Sequence, residues 1–463
     1  MELDDIVNED QEMPSMNENQ HPTAGKVQIG IDGLPLQQAP DVPRPEEEDV
    51  NDAPGKKQPG KPVGAVGTIF NLLNSVLGIG LLGVPNSFIN SGIIMSYVVL
   101  ILMAILSFFS TNIVIKLQTQ TGADGFDDLA FKILGKYGSV ILSVLTVLFL
   151  SCGLLAYLIV AGDMLISWFG MGGIDLTKGI WWRALLIFVY AICLPIPLTI
   201  PRNISFLQYF STATVFCIAF FLVVMIYKCS SIVPKQGINE TVAYWKLDFK
   251  IFSTLSIYAI TFSLPCVTIP SMKLYSPDYR KRCKIIIITC ILCCLIVGVT
   301  GITGYTIFGA NSKDNILLSF DNNDKVILIV RIGFFIVVSC AYPLLSQAVL
   351  ASWSSLVFKV NSPSNLSNGQ RALILCLTNG IPLIIAMFLS KIKPALGVSG
   401  SLGGCFANYM YPALLYFFNS KQKWSYWKNI LSILLGLFGL VAGIISTYLA
   451  INDAVHAFSS KGA

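Results

Sequence analysis

Gly78, Gly80, Gly83 and Pro85 crowd the same short stretch directly after Asn74 and Ser75. All six lie in TIFNLLNSVLGIGLLGVPNSF, Thr68 to Phe88, which is otherwise apolar enough to cross a membrane. Inside a helix Gly costs about 1 kcal/mol and Pro about 3 kcal/mol relative to Ala, so the segment is predicted to unwind locally. Unwound backbone at membrane depth survives only where it is buried in protein or lines a polar cavity. Such a break, with its freed N–H and C=O groups, points to a solute site near the bilayer midplane. The plainer alternative is a kinked packing helix, because Gly is common in membrane helices. A second break of the same kind is predicted in TFSLPCVTIP, Thr261 to Pro270, where Pro265 and Pro270 interrupt another apolar run.

The elements that must position these residues follow from hydropathy. The chain of 463 residues is 54% hydrophobic and 12% charged, which describes a polytopic membrane protein. A span needs about 20 apolar residues to cross a hydrocarbon core of about 30 Å. On that measure eleven spans are predicted, near 65–90, 92–116, 139–168, 182–200, 204–227, 251–272, 285–308, 326–353, 371–390, 395–418 and 428–451. The two breaks fall on the first and sixth. Interrupted spans at matching places in two five-span halves are the sequence mark of an inverted-repeat transporter. The expected fold class is therefore an all-α polytopic membrane protein, with a transmembrane domain over 63–463.

Residues 1–62 read differently. Through Lys61 there are 14 acids and 5 bases, a net of −9, whereas the remainder carries +14 of the formal total of +5. This stretch is rich in Pro, Asn, Gln and Glu, has no apolar period, and is expected to be a disordered acidic tail. It has no basic region and apolar core of a signal peptide. A cytoplasmic partner of the tail is one expectation, a plain solvated leader the other. With the tail inside, the cytoplasmic loops take the larger share of Lys and Arg, led by KLYSPDYRKRCK before the seventh span. The same orientation places the sequon at Asn239 outside or in a lumen, where N-glycosylation occurs, and leaves those at Asn203 and Asn365 bare. The 12 cysteines sit almost entirely in apolar runs and read as small buried hydrophobes. No Cys/His metal spacing occurs, and His21 and His456 are the only histidines, so no metal beyond a sodium ion is expected.

Several runs look like one family. FNLLNSVLGIGLLGVP, DDLAFKILGKYG (Asp127 to Gly138), LLAYLIVAGDML (Leu154 to Leu165), PIPLTIPRN (Pro195 to Asn203), GYTIFGAN (Gly304 to Asn311) and ILIVRIG (Ile327 to Gly333) resemble the amino acid/auxin permease family. The resemblance runs from about Val63 onward and is closest to its sodium-coupled neutral amino acid transporters and vacuolar amino acid transporters. It implies eleven spans, a cytoplasmic N-terminus and a leucine-transporter-like 5+5 inverted repeat with broken first and sixth helices. One departure is plain. Relatives often carry His and Glu after the sixth-span break, whereas Leu264 to Val267 holds neither.

An α-amino acid presents a carboxylate and an ammonium, and neither can be buried unpaired. Freed N–H groups at a half-helix start can hold the carboxylate, and glycines let it approach the backbone. Gly78, Ile79 and Gly80 are the expected carboxylate residues. Thr261, Phe262 and Ser263 offer carbonyls and hydroxyls to the ammonium, unless Thr261 and Ser263 merely satisfy freed backbone groups. The resemblance implies a sodium site joining the first and eighth spans, at Asn74, the carbonyl of Leu77 and the hydroxyl of Ser339. If protons drive transport, Asp163 is the best available carboxylate, although Asp163 and Arg331 read first as interfacial anchors and second as residues that pair across helices. No acid lies deep in a span, which favours neutral substrates over cationic ones. GIGLLG lacks the strand and βαβ unit of a dinucleotide loop, and no Ser/His/Asp set fits the membrane body, so no enzyme is expected. Nor is any nucleic-acid partner. The expected function is secondary active transport of amino acids by alternating access, coupled to Na+ or H+, in a plasma or vacuolar/lysosomal membrane. A membrane sensor of amino acids, signalling through the tail, is the alternative.

Overall fold

The computed structural model describes residues 64–174, 179–202, 208–272, 275–358, 366–423 and 425–459, and all of them belong to one compact unit, Gly60–Ala463. The acidic tail and the sequons at Asn203 and Asn365 lie outside the described residues. Every regular element among the described residues is helical. Besides short 3-10 turns at Pro197–Thr199, Gly309–Asn311 and Ile316–Leu318, they are α1 (Ala65–Leu77), α2 (Gly80–Thr121), α3 (Phe126–Met171), α4 (Ile180–Cys193), α5 (Gln208–Gln236), α6 (Ile251–Thr261), α7 (Leu264–Met272), α8 (Tyr279–Phe308), α9 (Lys325–Phe358), α10 (Asn368–Phe388), α11 (Ile392–Ser399), a π-helix (Gly400–Met410), α12 (Tyr411–Asn419) and α13 (Trp427–Ser459).

Nine helices among the described residues are long and apolar enough to cross a membrane. The expected first span is divided: α1 is short, and its second half runs into the second span as the single element α2. Gly92 bends that element, at φ 71° and ψ −179°. The expected tenth span is likewise shared among α11, the π-helix and α12. Gly135 bends α3 in the same way, at φ 71°, and gives it a first part that begins well before the predicted boundary near 139. Both bends need glycine, because an L side chain pays for positive φ.

The helices pair as an inverted repeat requires. α2, which holds the second span, packs along α8, the seventh; α3, the third, packs along α9, the eighth. One buried apolar cluster runs through both breaks, from Leu72, Val76 and Leu77 of α1 to Tyr258, Phe262 and Leu264. The outward faces stay apolar too: Ile101 and Ile105 of α2 and Leu434, Leu437 and Ile444 of α13 are exposed, as lipid-facing surface must be.

Candidate functional site

The first break is narrower than the sequence predicts. α1 ends at Leu77, Gly78 takes φ 25° and ψ −139°, Ile79 follows, and α2 begins at Gly80. Gly83 and Pro85 are already helical, which corrects the expectation that the whole GIGLLG stretch unwinds. Pro85 is the sixth residue of its helix, so only one early backbone bond is lost. Glycine serves close approach here: a Cβ on Gly83 would stand 3.0 Å from Leu396, and one on Gly304 2.7 Å from the Pro85 ring.

The second break interrupts α6 and α7 at Phe262 and Ser263. No positive φ marks the break at Phe262, which sits at φ −119° and ψ 26°. Neighbouring side chains hold it instead. Ser107 of α2 donates to the Phe262 carbonyl at 2.7 Å, and Asn408 of the π-helix accepts from the Cys266 N–H at 3.2 Å. Thr261 donates to the Tyr258 carbonyl at 2.9 Å, as a hydroxyl that satisfies freed backbone does.

The two breaks meet. A Cβ on Gly80 would lie 3.3 Å from the Thr261 methyl and 3.5 Å from Ile260. Ile79, Gly80, Thr261, Phe262 and Ser263 are all buried, and Gly78 is partly so. A residue that the sequence reading passed over completes the group: the Tyr157 hydroxyl of α3 is 3.6 Å from where a Gly78 Cβ would stand. Tyr157 lies inside LLAYLIVAGDML, but a lone Tyr in an apolar helix gives no sign of which partner it faces. Among the described residues the Tyr157 and Ser263 hydroxyls have no hydrogen-bond partner in the protein. Around the breaks the protein therefore offers the first N–H groups of α2, a free phenol and a free hydroxyl. The half-helix start and the phenol suit an anion. The second-break carbonyls and the Ser263 hydroxyl suit an ammonium.

The expected ion-coupling residues are more dispersed. Leu77 is the last residue of α1, where carbonyls lose their intrahelical partners. Asn74 lies one turn earlier and is half-buried. Ser339 of α9 donates to Phe335 at 2.7 Å and shares a 2.8 Å hydrogen bond with the Tyr190 hydroxyl of α4. No described hydrogen bond links Ser339 to Asn74 or to Leu77. Asp163 pairs across helices: it is buried 3.7 Å from Arg183 of α4, whose guanidinium also donates to the carbonyls of Ala386 and Leu389. Arg331 is no interfacial anchor, and it pairs across helices by hydrogen bond, with Ser167 of α3. It is fully buried, and its guanidinium donates to Ser167, Asn322, Leu317 and Phe320, with no carboxylate in ion-pair range among the described residues. Asn239 is half-exposed, and its side-chain oxygen accepts from the N–H and hydroxyl of Thr241 at 3.1 and 2.6 Å.

A family model described as transmembrane amino acid transporter protein matches residues 61–452. The chain belongs to the transmembrane amino acid transporter family. It is 27% identical over 376 residues to the sodium-coupled neutral amino acid transporter 7 of Danio rerio, covering 76% of this chain and 78% of that one. Identity to the sodium-coupled neutral amino acid symporter 2 of Danio rerio is 24% over 430 residues, covering 85% and 83%. A putative sodium-coupled neutral amino acid transporter 10 of Xenopus laevis is 23% identical over 395 residues, and this chain spans only 37% of its length. The crystal structure of MhsT in complex with L-phenylalanine superposes with a TM-score of 0.52 at 15% identity, over 83% of this chain and 98% of that one. That likeness establishes the fold that the paired breaks imply. Membership of a transporter family favours transport over the sensor reading and over any enzyme.

Proposed function

We propose that this chain is a secondary active transporter that moves neutral amino acids by alternating access. The observation that carries the reading is the meeting of the two breaks, Gly80 against Thr261, with the free hydroxyls of Tyr157 and Ser263 beside them. The substrate carboxylate is held by the N–H groups of Gly78, Ile79 and Gly80 and by the Tyr157 phenol. Its ammonium is received by the Phe262 carbonyl and by Ser263. The side chain then needs only an apolar wall, which suits a neutral amino acid. The chain crosses the bilayer eleven times behind a cytoplasmic acidic tail, which places Asn239 on the opposite side and open to glycosylation.

Sodium is the coupling ion in the first instance, because relatives are named for sodium coupling. Asn74, the Leu77 carbonyl and Ser339 are its ligands, and Ser339 must then share its oxygen with Tyr190. Purified protein in vesicles, given an imposed sodium or pH gradient and a panel of labelled amino acids, tests the whole reading. Accumulation of a neutral amino acid driven by sodium is the expected result. Asn74→Ala and Ser339→Ala should each raise the sodium concentration for half-maximal uptake about tenfold, which is about 1.4 kcal/mol per lost ligand. Uptake that ignores sodium and follows a proton gradient would move coupling to Asp163. No accumulation under either gradient would end the reading.

A further inference from the structure

The π-helix is the least expected element of the molecule, and its surroundings give it a task. Residues Gly400–Met410 form it, whereas π geometry elsewhere is mostly confined to a single turn, frequently at functional sites. It is pressed against α6 more closely than side chains allow. A Cβ on Gly400 would stand 2.0 Å from the Ser256 carbonyl oxygen, and one on Gly404 2.4 Å from Ala259. Past the break it reaches α7 through Asn408, which is fully buried. The Asn408 side-chain oxygen accepts from the Cys266 N–H at 3.2 Å, while its amide donates to the Gly403 carbonyl at 2.7 Å. Cys266 is the third residue of α7, where an N–H has no acceptor within its own helix, and Pro265 before it has no N–H at all. Ser110 of α2 donates to the Asn408 carbonyl, and one turn earlier Ser107 donates to the Phe262 carbonyl.

We infer that Asn408 is a positioning residue for the second break. Through it the π-helix, α2 and the first turn of α7 form one brace, and this brace sets where the Phe262 carbonyl and the Ser263 hydroxyl stand. Gly400 and Gly404 hold the same π-helix on α6, so both half-helices take their placement from one segment. The inference deepens the transport reading and rests on it for its effect on substrate, but the brace has a readout of its own. Cys266 is only half-buried and lies within the brace, whereas Cys290 and Cys293 are buried in α8, outside it.

The full chain, with its native cysteines in vesicles, is treated with N-ethylmaleimide, and labelling is followed residue by residue by mass spectrometry. Asn408→Ala should speed labelling of Cys266 about tenfold, as expected for loss of one buried hydrogen bond, with Cys290 and Cys293 unchanged. In uptake the same variant should raise the substrate concentration for half-maximal rate about tenfold while the maximal rate stays within about twofold. Ser107→Ala should raise half-saturation in the same sense, and Ser107→Thr, which keeps the hydroxyl, should restore it. This pair decides the matter if Asn408→Ala does not fold. Wild-type half-saturation in Asn408→Ala or Ser107→Ala would overturn the inference. So would acceleration of Cys290 and Cys293 in step with Cys266, which is general loosening. Wild-type protein that takes up no amino acid, yet shows the Cys266 contrast, would instead sink the transport reading and leave the brace standing.

Discussion

The two breaks do the same thing to a helix by opposite means. At Gly78 the backbone itself turns, with positive φ that only glycine adopts cheaply, and the neighbours leave the site open. At Phe262 the backbone stays in ordinary territory, and the interruption is held by Ser107 and Asn408 from two other helices. One break is written into its own residues, the other into residues about 140 to 155 positions away. A break made by glycine leaves N–H groups free to meet a ligand. A break made by braces keeps its carbonyls fixed, which suits a site that must recognise a cation by direction.

Substitutions can be chosen to break this contrast or to sharpen it. The largest effect belongs at the seam between the breaks. Gly80→Val puts a branched side chain where even a Cβ stands 3.3 Å from Thr261. Overpacking of this size costs about 1–3 kcal/mol, which an ordinary fold survives. Uptake should nevertheless fall at least about 100-fold, or about 2.7 kcal/mol, with protein still reaching the membrane. Normal uptake with unchanged half-saturation would mean that substrate does not sit where the breaks meet.

Tyr157→Phe comes next, because it removes the free hydroxyl beside Gly78 and leaves the ring. Half-saturation should rise about tenfold with little change in maximal rate, as for a hydrogen bond to a charged group of about 1.5 kcal/mol. An unchanged value would return Tyr157 to the packing. The second break gives a finer test through two adjacent hydroxyls. Ser263→Ala removes a free one and should raise half-saturation about fivefold, whereas Thr261→Val removes one already spent on Tyr258 and should change it less than about twofold. The reverse ranking would show that Thr261 leaves its helix to meet the ligand. Smallest of all is Asn239→Gln, which should abolish N-linked glycan in a eukaryotic host without altering uptake. A glycan that survives it would invert the proposed orientation.

How much of this was readable in the sequence follows the same division. Gly78 announced the first break, because glycine acts on its own backbone, and Pro265, which removes an N–H from the first turn of α7, marked the place of the second without showing what holds it. The matching spacing announced the repeat, and α8 and α9 lie where it required. Ser107, Asn408 and Tyr157 could not be read, since a single polar residue in an apolar helix says nothing about which helix it will face. The π-helix was hidden for a related reason. GSLGGCFANYM reads as a small-residue packing face, and the contacts of Gly400 and Gly404 with α6 exist only after folding. The burial of Arg331 could not be read either, since two of its four acceptors, the Leu317 and Phe320 carbonyls, carry no side-chain signature.

The bend at Gly92 has a consequence of a different kind. Ile93 and Ile94 donate their N–H groups to the carbonyls of Ala243 and Tyr244, and the Lys246 N–H donates to Ser91, so the chain after α5 is stitched to α2 largely by main chain, with the Lys246 side chain adding one bond to the Ile89 carbonyl. Its other end is tied to α8 by the Asn239 N–H on the Thr306 carbonyl. Main-chain stitching is indifferent to side-chain identity but not to register. Over evolutionary time the positions of this loop that bond only through main chain can therefore change while its length between residues 239 and 246 stays fixed, and Gly92, whose Cβ would strike the Ala243 oxygen at 2.8 Å, is a letter it cannot spare.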